Sequence, residues 1–121
     1  MNSQLTTNSH IEITETLVRL YVFLAQELDR CLNESARQTF PEHELQAHLS
    51  STRAKMMEIL SVNEVVKGKV EQECIRVLSL SAACNGIDGK TASMETLKAE
   101  RAVLKNKTMA LSDLLAVFRA A

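Results

Sequence analysis

The scarcity of helix-breaking residues most constrains what this chain can fold into. Its 121 residues include one proline, Pro41, and three glycines, Gly68, Gly86 and Gly89. Proline and glycine are the residues that most often end helices and open turns. The stretches between them carry apolar residues at steps of three and four, which is the spacing of a helix face. The sequence therefore predicts an all-α fold, an antiparallel bundle or extended hairpin of three to four long helices with coiled-coil-like packing.

Three capping-box patterns coincide with changes in the phase of the apolar residues. They are Ser9-x-x-Glu12, Thr39-x-x-Glu42 and Ser61-x-x-Glu64. In a capping box the hydroxyl accepts from an N–H of the first turn, and the glutamate accepts from the N–H of the cap. Because nineteen Ser and Thr residues make chance matches common, we use the boxes only as boundary markers. Ser9 and Thr39 are interpreted as helix starts, the latter supported by Pro41 in the first turn.

The apolar spacing predicts helices over about residues 10–37, 41–60, 62–84 and 92–120. They form a single helical domain, residues 9–121, which follows a disordered polar tail, residues 1–8. At residues 61–63 a tight turn and a kink are both compatible with the pattern, and the absence of Gly and Pro there favours a kink or short break. Residues 85–90 form the clearest loop, in which Gly86 can end one helix and Asp88 or Thr91 can cap the next.

Two segments are candidate contact surfaces. Residues 17–25 are apolar on nearly every side of a helix, which indicates a central helix or one that also meets a partner chain. In the last helix a heptad seam runs through Leu97, Leu104, Leu111 and Phe118, with Leu115 among its companion positions. We predict partner binding through Leu97, Leu104, Leu111, Leu115 and Phe118, or alternatively through Val18, Val22 and Ala25.

Composition excludes several classes of protein. The net charge of −1 and the four aromatic residues disfavour nucleic acid as a partner. Seven acids against three bases in residues 1–50, and eight against eleven in residues 51–121, favour attraction between the two halves of one fold. The longest apolar run, residues 20–25, is far shorter than a membrane span.

The cysteines point to a reducing compartment. Cys31, Cys74 and Cys84 are an odd set without CxxC spacing, so we interpret them as small buried apolar residues. The first ten residues lack the positive start and apolar core of a signal peptide. A cytoplasmic or otherwise intracellular location, with the nucleus included, is expected.

Each candidate for chemistry has a more ordinary interpretation that we favour. His48 is interpreted as a solvent-facing helical histidine rather than a phosphotransfer residue, and His43-Glu44-His48 lacks the i, i+4 spacing of two histidine metal ligands on one helix face. Asn85-Gly86-x-Asp88-Gly89-Lys90-Thr91 lacks the first glycine of a phosphate loop. Lys98, Arg101 and Lys105 share one helix face, interpreted as solvated. Met56, Met57, Met94 and Met109 are interpreted as core filler rather than an adaptable groove.

These observations predict a non-enzymatic helical protein–protein interaction module, an adaptor or a subunit of a larger assembly. We expect a protein partner or a homo-oligomer, with no cofactor, metal or small-molecule substrate. The alternative is a small cytoplasmic chaperone for exported flagellar or type III secretion proteins. It is compatible with the length and helical layout, but no residue-level motif carries it.

Overall fold

The computed structural model describes residues 2–34, 42–84 and 94–120. These residues form four helices, α1 Asn2–Glu34, α2 Glu42–Leu60, α3 Glu64–Cys84 and α4 Met94–Ala120, and contain no strand. The predicted all-α fold of long helices is thereby confirmed. Three of the features predicted from the sequence lie outside the described ranges: Pro41, the loop at residues 85–90 and the segment resembling a phosphate loop. The capping box that starts at Thr39 also begins outside them.

Helix α1 is the central element of the bundle, and it packs against each of the other three helices. Its most extensive contact is with α4, which runs antiparallel to it: Arg119 pairs with Glu15 at one end and Arg101 with Asp29 at the other. Helices α2 and α3 form an antiparallel hairpin on another side of α1. Successive helices therefore alternate in direction, as in an up-down-up-down bundle.

The core is a single apolar cluster to which each helix contributes one stripe of side chains. Aliphatic side chains at steps of three and four fill it, because the chain contains few aromatic residues. Small branched side chains also let the helices approach closely. Its fully or almost fully buried members are Leu20, Leu24, Leu28, Cys31, Met56, Ile59, Leu60, Val66, Val70, Val77, Leu97 and Leu104.

Helix α1 begins at Asn2, ahead of the predicted start near residue 10. Residues 2–8, which we expected to form a disordered tail, are helical, and Ser9 lies inside the helix and not at its cap. The last turn of α4 reaches α1 at residue 10. The ring of Phe118 lies 5.4 Å from the ring of His10, centroid to centroid.

A tight turn, and not the favoured kink, joins α2 to α3. The amide of Ser61 still donates to the carbonyl of Met57 at 2.8 Å, and the amide of Asn63 donates to the carbonyl of Leu60 at 3.1 Å. The chain then reverses without Gly or Pro, so the kink interpretation was wrong. The reversal is favoured by packing, because it buries Leu60 and Val66 on either side of the turn.

Asn63, and not Ser61, caps α3. Its Oδ1 accepts from the amides of Val65 at 3.0 Å and Val66 at 3.3 Å, which are otherwise unpaired donors of the first turn. The Ser61 hydroxyl instead donates backward to the carbonyl of Glu58 at 2.8 Å. The third capping-box pattern is therefore a chance match.

We expect Asn63→Ala to lower the free energy of unfolding by about 1 kcal/mol, because two first-turn amides lose their acceptor. Asn63→Asp, which keeps an acceptor in place, should be close to the wild type. Ser61→Ala should stay within about 0.5 kcal/mol because its bond is exposed. Urea denaturation followed by circular dichroism measures all three, and a Ser61→Ala loss as large as that of Asn63→Ala would contradict the assignment.

Candidate functional site

The heptad seam of α4 is an interface within the chain. Leu97 and Leu104 are completely buried, and Leu115 is buried as well. Leu111 packs against the core, and Phe118 is half-buried beside His10. In the folded chain the seam therefore packs on α1, and its use as a partner surface stays a prediction.

The alternative contact residues on α1 also differ in how far they are exposed. Ala25 is buried, Val18 is half-buried and Val22 is exposed. Because α2, α3 and α4 all pack on α1, the apolar character around residues 17–25 is explained by coverage within the chain. Val22 alone among the predicted contact residues is open to solvent.

A second apolar stripe lies on α4 opposite the seam. We call it the outer α4 face; its exposed residues are Ala99, Val103, Asn106, Ala110, Leu114 and Val117. Their steps of three and four place them on one side of the helix. Val103 is 44% exposed, Leu114 42% and Val117 63%, and Met109 at the edge of the stripe is 66% exposed. The spacing was present in the sequence, but the stronger heptad on the opposite side concealed it.

A groove runs between α2 and α3. We call it the hairpin groove. Near the turn it has a volume of about 210 Å³ and is lined by Met56, Met57, Leu60 and Cys74. Farther along it is lined by Leu49, Ser79 and Ala82. Arg53, Ile75 and Leu78 line both parts. The interpretation of the methionines as core filler is right for Met56, which is buried, whereas Met57 and Met109 are exposed.

Arg53 is the cation shared by both parts of the hairpin groove. Within residues 2–34, 42–84 and 94–120 it has no hydrogen bond or ion pair, and its side chain is exposed. Lys67 and Glu71 also line the groove, at the end near the turn. The groove is therefore an apolar channel with an available positive charge partway along it.

A buried carboxylate, that of Glu27, joins three helices. It accepts from Arg30 Nε at 2.8 Å on its own helix, from His48 Nε2 of α2 at 2.9 Å, and from the Ser81 hydroxyl of α3 at 3.1 Å. Ser81 is itself completely buried and accepts from Arg30 Nη2 at 3.1 Å. We call Glu27, Arg30, His48 and Ser81 the Glu27 cluster.

The Glu27 cluster holds its carboxylate in the charged form. Burial of Glu27 by itself raises the pKa, but hydrogen bonds and charge from Arg30 and His48 outweigh it, so the pKa of Glu27 lies below the ordinary value. His48 was interpreted as solvent-facing, and this was wrong: it is half-buried against Glu27. Sequence reading missed the contact because the two residues are far apart along the chain and meet only when α2 folds onto α1.

The geometry of the Glu27 cluster fits a structural role, in which the cluster links helices α1, α2 and α3. In a nucleophile–histidine–carboxylate triad the two partners bind opposite ring nitrogens. Here Glu27 and the Thr52 hydroxyl both approach Nε2 of His48, the hydroxyl at 3.4 Å. An open cleft of about 380 Å³ lies beside the cluster, with Lys55 and Ser51 on its rim. Arg30 and His48, which border this cleft, both form hydrogen bonds with the Glu27 carboxylate.

A second polar contact ties α1 to α3 about two helical turns from the Glu27 cluster. The Tyr21 hydroxyl donates to Glu73 at 2.8 Å, and Lys107 of α4 lies over the Tyr21 ring and 3.3 Å from Glu73. Burial and the Glu73 carboxylate raise the pKa of Tyr21. The same environment bears on Cys74, where burial and then Glu73 and Glu71 raise the thiol pKa to about 11.

The remaining sequence candidates are placed as follows. Cys31 and Cys74 are buried free thiols, as predicted, and the side chain of Cys84 lies outside the described residues. Arg101 and Lys105 both pair with Asp29, so only part of the basic face of α4 is solvated as we expected. The described residues hold no group of three potential metal ligands, and the side chain of His43 is outside them.

None of the helices in the described ranges is long and apolar enough to cross a membrane. No protein family, curated protein or solved structure matches this chain. Its function must therefore be argued from its own surfaces.

We expect Glu27→Gln to lower the free energy of unfolding by about 3 kcal/mol at neutral pH, because it breaks the buried ion pair between Glu27 and Arg30. The folded pKa of Glu27 is lowered, so its stabilisation is present above the unfolded pKa, near 4.5, and is lost as the pH falls through the folded pKa. The difference between the two proteins should therefore shrink in acid.

Chemical denaturation at stepwise lower pH measures this effect. Glu58→Gln serves as the control, because the Glu58 carboxylate is exposed and, among the described residues, pairs only with Lys55 at 3.6 Å. It should change stability by less than about 0.5 kcal/mol. A Glu27→Gln variant as stable as this control would contradict the assigned role of the cluster.

Proposed function

We propose that this chain is a helical protein–protein interaction module, an adaptor or assembly subunit whose contact surface is the outer α4 face. The observation that carries the proposal is the exposure of Val103, Leu114 and Val117 on one side of α4, with the exposed Met109 at the edge of that side. Single exposed apolar residues are normal on protein surfaces. Several at helical spacing on one side of a helix are typical of a helix that docks against another element.

The outer α4 face is not needed to complete the core of the chain. The opposite side of α4 already packs on α1 through Leu97, Leu104 and Leu115. Burying a large aliphatic side chain contributes about 1.5–3 kcal/mol relative to leaving it in water. Burial of the exposed apolar residues of α4 against a partner would therefore contribute free energy to binding.

Recognition through this face would be apolar and only weakly sensitive to salt. The polar positions in and beside the stripe, Asn106 and Asp113, are exposed and can set the register of a docked helix. Such recognition needs no cofactor and no small-molecule substrate, in keeping with a role in assembly rather than catalysis.

A chaperone for exported flagellar or type III secretion proteins is the second candidate. The feature that favours it is the hairpin groove, with Met57 and Ile75 about half exposed along it. Methionine-lined grooves adapt to different amphipathic helices. A chaperone of this kind would bind an isolated helical segment of its client and release it before export.

Site-specific photo-crosslinking tests the proposed function in the cells that make the protein. A benzophenone amino acid is placed at Val103 or Val117, on the outer α4 face, and at Ser112, which is exposed on α4 but outside that face. We expect one discrete crosslinked product from positions 103 and 117 and none from position 112. Adding Leu114→Asp should abolish it while the thermal unfolding midpoint stays unchanged, because Leu114 is exposed.

Equal crosslinking from all three positions, or none from any of them, would contradict the assignment of the outer α4 face. Crosslinks that survive Leu114→Asp would do the same. Products that form with purified protein alone contain a second copy of the chain, whereas products that require the cell contain another protein.

A further inference from the structure

We infer that the hairpin groove receives the outer α4 face of a second copy of this chain, held in register by an ion pair between Arg53 and Asp113. This inference rests on the proposed function, because it names the partner of the outer α4 face. The two surfaces match in length, in apolar character and in the position of their charges.

The hairpin groove is open in the single chain. Helix α1 covers one side of the α2–α3 hairpin, and α4 packs mainly along α1. Nothing in the described part of the chain covers Met57 and Ile75, and each is about half exposed. The α4 helix of the same chain is committed to α1 through its seam, so an α4 helix that enters the groove comes from another copy.

The lengths of the two surfaces agree along α3. From Lys67 to Ala82, which mark the two ends of the groove along α3, a helix rises about 22 Å. From Val103 to Val117, the limits of the large apolar residues of the outer α4 face, it rises about 21 Å. Along α2 the lining runs from Leu49 to Leu60, a rise of about 16 Å. The stripe therefore matches the α3 wall of the groove and is about 5 Å longer than the α2 wall.

The charges fall at matching positions. Asp113 lies between Ala110 and Val117 on the same side of α4, is exposed, and has no ion pair or hydrogen bond among the described residues. It is four residues from Val117, just as Arg53 is four residues from Leu49. When Asp113 faces Arg53, Val117 reaches the Leu49 end of the groove, and the rest of the stripe extends towards the turn.

Docking would place this ion pair between apolar side chains. Exposed ion pairs contribute little because water screens them, whereas a pair enclosed at an interface is screened less and selects the register. Each copy presents one groove and one outer face. Two copies that exchange these surfaces reciprocally close a dimer, and copies that do not would grow into longer chains.

Charge reversal tests the inference on purified full-length protein. Light scattering coupled to size-exclusion chromatography should show a mass that rises above the 13.5 kDa of one chain as the concentration increases. Arg53→Glu and Asp113→Arg should each weaken association by about tenfold or more. The double variant, which restores opposite charges, should recover association to within about threefold of the wild type.

Arg19→Glu and Glu12→Arg are matched controls. Both positions are exposed on α1 and have no side-chain ion pair among the described residues, so neither reversal should alter association. Circular dichroism of every variant checks that the fold is retained. At concentrations where the wild type is a monomer, the unfolding midpoints of the variants should equal that of the wild type, because Arg53 and Asp113 are exposed.

Three outcomes would overturn the inference: a mass of one chain at every concentration, association that either single reversal leaves unchanged, or a double variant no stronger than the singles. None of them removes the proposed function. A monomer whose outer α4 face still crosslinks to another protein in cells would retain that function with a different partner. Loss of both results would remove the two together.

Discussion

The position of the α2–α3 hairpin on α1 depends on one buried carboxylate. Glu27 is almost completely enclosed, yet α1, α2 and α3 each supply it a hydrogen-bond donor, from Arg30, His48 and Ser81. An enclosed charge is tolerable only when its partners are in place. Sliding α2 or α3 along α1 by one helical turn would keep apolar stripes in contact. It would, however, leave the buried Glu27 carboxylate without the hydrogen-bond donor from that helix. The Glu27 cluster therefore selects one register among several that the aliphatic core alone would permit.

The contact between α1 and α4 is organised differently. Aliphatic side chains fill it, and the ion pairs Glu15–Arg119 and Asp29–Arg101 lie near its ends on the partly exposed surface. Pairs of that kind add little stability, but they favour one direction and register of packing. Because α4 is attached by one side only, its opposite side stays available. The same asymmetry leaves the hairpin groove open, since α1 covers the hairpin from one side.

Much of this fold could be predicted from the sequence, because helix content and core stripes are local properties written in three- and four-residue spacing. The parts that could not be predicted depend on partners distant in the chain. Ser61 has the residue type of a cap, but the antiparallel packing of α2 and α3 makes Asn63 the cap. The acid at helical spacing from His48 is Glu44, which is exposed, whereas the carboxylate that His48 contacts, Glu27, belongs to another helix. The heptad position of Leu104 predicts a contact with another helix, but it does not say whether that helix is α1 or belongs to another protein. The structure shows that Leu104 packs on α1.

The polar interruptions of the outer α4 face bear on the kind of binding that it supports. A stripe of uninterrupted aliphatic residues would bind many apolar surfaces and would promote aggregation. With Asn106 within it and Asp113 beside it, a bound surface must offer a donor or a cation at the matching position, or it must desolvate these groups without compensation. In the proposed interaction, specificity would therefore come from the cost of a mismatch, and the apolar residues would supply affinity. Arg53, which lies among apolar side chains in the hairpin groove, would be the cation that Asp113 requires.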